Sequence, residues 1–375
     1  MTSIERREMR YQRRKAKREE ARKRRNELYG NFDKVYTYEH LYHSYLMCRK
    51  NVRWKSSTQR YIANASLNVY DAYKRLHEGT FKSRGFYEFD LFERGKPRHI
   101  RSVDVHERVV QRCTCDYSLI PMLQPSFIYD NGASMKNKGY HFAVKRFNRH
   151  LQRHIRKHGN RGYVLLFDFS SYFDSIPHDL LMKILDKAYD DERTLKLIKH
   201  FIDMFGDKGI GLGSQVSQVL ALAAANELDH FIKEELRAKC YGRYMDDGYI
   251  IHESKEYLEE CMEKINQKCI EMGLKLSIKK TRVVPIFRDF MWLKIRYRVT
   301  ETGHIVKRIW RKSVVRMRRK LKKLKRKLEQ GVITAFDVYQ SVQSWKSHAH
   351  GLAVYHTMKR LDELIFNLFG TEVIV

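Results

Sequence analysis

Two aspartates stand side by side, Asp246 and Asp247, inside the otherwise apolar run Arg243-Tyr244-Met245-Asp246-Asp247-Gly248-Tyr249-Ile250-Ile251. Aromatic and β-branched residues around an Asp-Gly pair read as strand, turn, strand, with Asp247-Gly248 in the tight turn and the acids at the tip. Neighbouring carboxylates repel, and in a half-buried hairpin the repulsion is costly unless a cation neutralises it. The pair therefore asks for a metal ion. A solvated acidic turn is the plainer alternative, and a second acidic strand end is what tips the balance.

That second strand is Tyr163-Val164-Leu165-Leu166-Phe167-Asp168-Phe169. A continuous apolar run of this length predicts a buried strand, and Asp168 interrupts it at its carboxyl end, where an unpaired charge is hard to justify. If the two strands are neighbours, Asp168 and Asp246 can share two Mg²⁺ ions about 3.5–4 Å apart, the arrangement used in phosphoryl transfer. Asp247 would add charge and orient the pair, and the backbone carbonyl of Phe169 would supply a further hard oxygen ligand. Mn²⁺ is the alternative ion.

In order along the chain these segments resemble the motifs of reverse transcriptases. Phe167-Asp168-Phe169 through Phe173-Asp174-Ser175-Ile176-Pro177-His178 resembles the first catalytic motif, and Tyr244-Met245-Asp246-Asp247 the YxDD box. Between them, Gly209-Ile210-Gly211-Leu212-Gly213-Ser214-Gln215-Val216-Ser217-Gln218 occupies the place of the glycine-rich loop and following helix. The resemblance implies that Gly213, Ser217 and Gln218 lie against the template and incoming nucleotide. It also implies that Lys280, in Gly273-Leu274-Lys275-Leu276-Ser277-Ile278-Lys279-Lys280, sits near the departing pyrophosphate, and that Lys96 and Arg98 meet the triphosphate. Phe173, five residues beyond Asp168, is implied as a steric gate against the ribose 2′-hydroxyl; a core aromatic is the competing reading.

Tyr244 and Met245 are implied to pack near the primer end, although Tyr244 also reads as an ordinary strand residue. Phe290-Met291-Trp292-Leu293-Lys294-Ile295 falls where a primer-gripping hairpin is expected, assigning Trp292 and Leu293 to the primer; the family's usual Leu-Gly is here Leu293-Lys294. The loop also departs from the common Gln-Gly and Ser-Pro pattern, with Leu212-Gly213 and Ser217-Gln218. That departure resembles bacterial reverse transcriptases of diversity-generating retroelements, which copy template adenines with errors and work with an accessory protein and a structured noncoding RNA.

The formal charge of +30 points to a polyanionic partner. It is concentrated in residues 5–25 and in Arg316 through Leu328, where Met317, Leu321, Leu324 and Leu328 recur at helical spacing. The second block predicts an amphipathic helix whose Arg316, Arg319 and Lys323 lie along a nucleic-acid backbone. The first nearly lacks large apolar residues, so it reads as a loose extension, either disordered or helical once on RNA. The six cysteines lack zinc-site spacing and read as reduced thiols in a cytoplasmic protein. No run of about eighteen apolar residues is present, which argues against a membrane partner.

The fold class expected is α+β, a right-hand polymerase with fingers, a palm of antiparallel strands plus helices, and a helical thumb. Residues 1–30 would form the basic extension, 31–298 the fingers and palm, and 299–375 the thumb. The function expected is RNA-directed DNA synthesis from dNTPs, with template RNA and cDNA product as partners. The setting expected is a diversity-generating retroelement, with a phage-defence or retron-like enzyme copying a dedicated noncoding RNA as the rival. A noncatalytic RNA-binding protein is the alternative from a different class.

Overall fold

The computed structural model describes residues 2–93 and 96–370. Its strands are β1 (Phe86–Glu93), β2 (Lys96–Val103), β3 (Tyr163–Asp168), β4 (Tyr241–Tyr244), β5 (Asp247–His252), β6 (Arg282–Pro285), β7 (Phe290–Trp292), β8 (Ile295–Val299) and β9 (Ile305–Ile309). Helices make up most of the rest, so the expected mixture of α and β is present. The chain divides into two compact units: residues 1–143, 167–248 and 261–281 in one, and residues 144–166, 249–260 and 282–375 in the other.

The central sheet has the order β4-β5-β3-β6, which makes the two acidic strands neighbours. Strand β3 earns its interior place through Val164 and Leu165, both fully buried, and it pairs antiparallel with β6, Tyr163 opposite Pro285 and Leu166 opposite Arg282. Strands β1 and β2 form a separate antiparallel hairpin, with Phe86 opposite Val103.

In the first unit, helices Tyr38–Cys48, Ala65–His77 and Val105–Thr114 pack together over Leu41, Val69, Ala72, Val109 and Val110, all fully buried. Helix Gln215–Ala224 is buried on nearly every side, with Gln218 its exposed residue. The residues expected to form a loose extension are instead a single helix, Ser3–Arg25, none of whose residues is buried. It begins with a capping box in which the Thr2 amide donates to Glu5 at 2.8 Å and the Glu5 amide to the Thr2 hydroxyl at 3.2 Å. Pairs such as Gln12 on Glu8 at 2.7 Å support it further. Hydrophobic burial plays no part, and of the two expectations, disordered or helical on RNA, the segment is helical here without RNA.

The second unit contains the antiparallel sheet β7-β8-β9 and the helices Arg311–Glu329, Ala335–Ala349 and Tyr355–Phe369. Because β9 pairs with β8, Val299 opposite Ile305, the helical part begins at Arg311 rather than at 299. As the heptad-like spacing anticipates, Met317 and Leu321 join Val338, Val342, Leu361, Ile365 and Phe369 in the core of the three helices, and Leu324 and Leu328 pack against it. All six cysteines are free thiols. Among the described residues no helix is long and apolar enough to cross a membrane.

Candidate active site

Asp168 is the last residue of β3 and only 6% exposed. The strand end is pinned by an antiparallel bridge between Phe169 and Leu276: the Ser277 amide donates to the Asp168 carbonyl at 2.7 Å, and the Ser170 amide to the Lys275 carbonyl at 2.8 Å. The ring of Phe169 is buried and stacked on Tyr172 at 4.6 Å, so only its backbone is available to the site.

The turn between β4 and β5 is Met245-Asp246, and Asp247 already belongs to β5. This corrects the Asp247-Gly248 turn expected from the sequence. Met245 supplies the left-handed residue, at φ 53°, while Gly248 meets a different demand. A Cβ on Gly248 would lie 2.2 Å from Cζ of Phe167, so glycine is what lets β5 pass the neighbouring strand's buried ring.

The three carboxylates feel one another strongly. Burial is the main cause that pushes Asp246 above the usual carboxylate range, followed by the charge of Asp168, with Lys280 and Arg98 pulling the other way. Asp247 is pushed up to about 8 by burial, then by the charges of Asp246 and Asp168 and by a hydrogen bond shared with Asp168. Lys280 donates to Asp168 Oδ2 at 2.7 Å. Burial would lower its ammonium pKa, yet that bond and the three negative charges hold it above the ordinary lysine value. The structure thus gathers Asp168, Asp246, Asp247, Lys280 and Arg98. The side chain of Lys96 falls outside the described residues.

A cation suits this arrangement. Asp168 Oδ1 is buried without a hydrogen-bond donor, and burial together with the neighbouring carboxylates raises both Asp246 and Asp247, so added positive charge would relieve the site. Among the described residues no three His, Cys, Asp or Glu side chains already form a closed metal cage. Mg²⁺ in phosphoryl-transfer sites does not use such a cage, being held by one or two carboxylates together with substrate phosphates.

What sequence reasoning missed is the support beneath the turn. Arg243 and Asp229 form a salt bridge whose side chains are both 0% exposed, with Nη2 on Oδ2 at 2.6 Å and Nε on Oδ1 at 2.8 Å. The remaining guanidinium nitrogen donates to the Met245 carbonyl at 2.8 Å, fixing the left-handed residue that aims Asp246. Tyr241 adds its hydroxyl to Asp229. The signal available was an arginine inside the apolar run Tyr241-Gly242-Arg243-Tyr244, where a lone charge needs a partner.

Of the other residues named from the resemblance, Gly213 has φ 120°, and a Cβ there would fall 2.5 Å from the Arg101 carbonyl. The loop is tied to β2 on the same side, the Arg101 amide donating to the Leu212 carbonyl at 3.1 Å. Phe173 is half-buried, its carbonyl accepting the Ile210 amide at 2.9 Å. Gln218 is exposed and accepts the Ser134 hydroxyl at 3.0 Å. Ser217 is corrected: it is 1% exposed and its hydroxyl donates to the Ile210 carbonyl, so it faces the interior and has no surface for a nucleotide. Tyr244 and Met245 pack against Ala133, Met135 and Leu222 beside the turn.

The family model described as reverse transcriptase (RNA-dependent DNA polymerase) matches residues 85–335, which include every carboxylate of this site. The chain belongs to the reverse transcriptase family. A curated relative is Protein YkfC of Escherichia coli (strain K12), 22% identical over 241 residues; the match covers 53% of this chain and 62% of that protein. The chain thus spans less than two thirds of that relative. Among solved structures, apo telomerase from Candida tropicalis truncated from its C-terminal domain matches at 12% identity and a TM-score of 0.44, over 59% of this chain and 54% of that one. Telomerase from Candida albicans in complex with a TWJ fragment of telomeric RNA matches at 10% identity and 0.44, over 78% and 62%.

The remaining residues, Trp292 and Leu293 from the resemblance and Arg316, Arg319 and Lys323 from the basic helical block, lie in the second unit. Trp292 is corrected: it is 3% exposed, stacked on Phe147 at 4.8 Å and edge-on to Tyr249 at 4.8 Å, a core aromatic with no face for a primer. Leu293 and Lys294 form the β7–β8 turn, both in the left-handed region at φ 46° and 64°. Arg316 and Arg319 line a cavity of about 770 Å³ with Arg282, Arg296 and Trp310, and the Arg316 guanidinium lies 5.3 Å from the Trp310 ring. Lys323 is exposed farther along the same helix.

Proposed function

We propose that this chain is an RNA-directed DNA polymerase that joins deoxynucleotides to a primer on an RNA template. The observation that carries the reading is the convergence of Asp168, Asp246 and Asp247 at one strand end and its neighbouring turn, with an orphaned Asp168 oxygen. Two divalent ions, Mg²⁺ or Mn²⁺, would supply Lewis-acid stabilisation of the attacking and leaving oxygens there. Asp168 and Asp246 would hold those ions, with the Phe169 carbonyl as a further oxygen, and Asp247 would add negative charge beside them. Lys280, now on Asp168, is within the same cluster to neutralise the departing pyrophosphate, and Arg98 approaches from β2. Phe173 would exclude a 2′-hydroxyl, and Gln218 offers an amide to the template or nucleotide.

The template-side loop favours a role in a diversity-generating retroelement, assisted by a structured RNA and an accessory protein. Where the family's common pattern has Gln, Leu212 has an aliphatic side chain with no donor or acceptor to hold a template base. Primer extension on a primed RNA of mixed sequence, followed by sequencing of the cDNA, tests both levels. DNA synthesis with errors concentrated opposite adenine supports the full reading, faithful copying points to a defence or retron-like polymerase, and RNA binding without synthesis would overturn the enzyme.

A further inference from the structure

Helix Ser3–Arg25 has 23 residues, and no part of it contributes to a core. It is held at its far end, where Arg22 pairs with Asp190 and donates to the Lys187 carbonyl at 3.2 Å, and Asn26 donates to the Ala188 carbonyl at 2.8 Å. Its charges are sorted. At about 100° per residue, its basic residues other than Lys23 fall within an arc roughly 200° wide, centred on the line of Arg6, Arg10, Arg13, Arg14, Lys17 and Arg18. The opposite arc holds Glu5, Glu8, Glu19 and Glu20.

We propose that this basic face docks along the phosphate rows of a double-stranded stem in the RNA that the chain copies, a step that rests on the polymerase reading above. The helix is roughly 35 Å long, enough to run past the phosphate rows that flank a groove of an A-form stem, and a cationic arc wider than a half-circle reaches phosphates on both sides of that groove. A single strand is the poorer fit, because its binding draws on aromatic stacking platforms and the helix exposes one aromatic ring, Tyr11. An acidic membrane is poorer still. Ile4, Met9 and Tyr11 are the exposed large apolar residues, and Met9 lies on the opposite side from the other two, leaving no apolar stripe to insert. The contact reads phosphate spacing and not sequence.

The test uses the full chain and a synthetic RNA hairpin of one helical turn, unrelated in sequence to any template. Arg10→Gln, Arg13→Gln, Arg14→Gln and Lys17→Gln combined keep helix propensity while removing four charges. Hairpin affinity should fall at least tenfold, and the magnitude of the log-affinity slope against log salt should drop by about 3. The same positions changed to Lys should stay within about threefold of the parent. Unchanged affinity and slope in the Gln variant, or an equal loss for an unstructured RNA of the same length, would overturn the proposal. Extension of a short primed template is read beside it and should be unchanged in the variant. If the parent chain does not extend a primer but the hairpin loss persists, the polymerase reading falls and this docking surface stands.

Discussion

Two hairpin tips in this chain force non-glycine residues into left-handed backbone, and they are supported differently. At Met245-Asp246 the turn rests on a fully buried guanidinium that is itself held by Asp229. At Leu293-Lys294 both residues have positive φ, and the turn closes a short β7–β8 pair beside the aromatic group of Phe147, Phe290, Trp292 and Tyr297. Left-handed backbone costs roughly 1–2 kcal/mol per non-glycine residue. In the first turn that strain aims a carboxylate, so the molecule invests a buried ion pair in it. The second reverses the chain between β7 and β8, a reversal that glycine at position 294 would accomplish at lower cost.

Breaking the clamp should have the largest effect. Arg243→Met leaves Asp229 buried and unpaired, and stability should fall by about 3–5 kcal/mol in urea unfolding. The double variant Arg243→Met with Asp229→Leu should recover most of that stability but not polymerisation, because Met245 and Asp246 lose their anchor. Recovery of full activity would mean the turn holds itself.

The next effect comes from the repelling acids. Asp246 and Asp247 have raised pKa values in the folded chain, so between the ordinary carboxylate range and about 8 the folded state binds more protons than the unfolded one. Metal-free stability should therefore decline as pH rises through that window. Asp247→Asn should raise the melting temperature of the metal-free protein at neutral pH, and added Mg²⁺ should stabilise the parent far more than this variant. Equal stabilisation of both would remove Asp247 from the metal site.

The smallest effect is expected at the other turn. Lys294→Gly should stabilise the protein by about 1 kcal/mol, since glycine adopts φ 64° without strain. Destabilisation would show that Lys294 makes a contact that outweighs its backbone cost.

The same contrast explains what the sequence could and could not reveal. Asp168 and Asp246 were legible because a charge in an apolar run has few structural excuses. The exact turn was not: Asp247-Gly248 is a strong turn signal, but Gly248 is required by the ring of Phe167, a neighbour just over eighty positions away in the sequence. Ser217 and Trp292 lie in segments that resemble the family's motifs, yet a motif does not say which way a side chain faces, and both turn inward. The Arg243–Asp229 pair escaped notice because its partners lie on a helix and a strand with no local pattern linking them. Helix Ser3–Arg25 was open to two readings, disordered or helical on RNA, because with no buried face its only periodic signal is the sorting of its charges.

Asp246 is the carboxylate whose loss is predicted to affect synthesis most directly. Primer extension should be measured on one primed RNA with the parent chain and with Asp246→Asn, across a range of Mg²⁺ concentrations and with RNA binding recorded in parallel. Loss of synthesis by at least a thousandfold at every Mg²⁺ concentration, with RNA binding intact, is the predicted result. Synthesis by Asp246→Asn at near the parent rate would contradict the assignment of this carboxylate cluster as the site of chemistry.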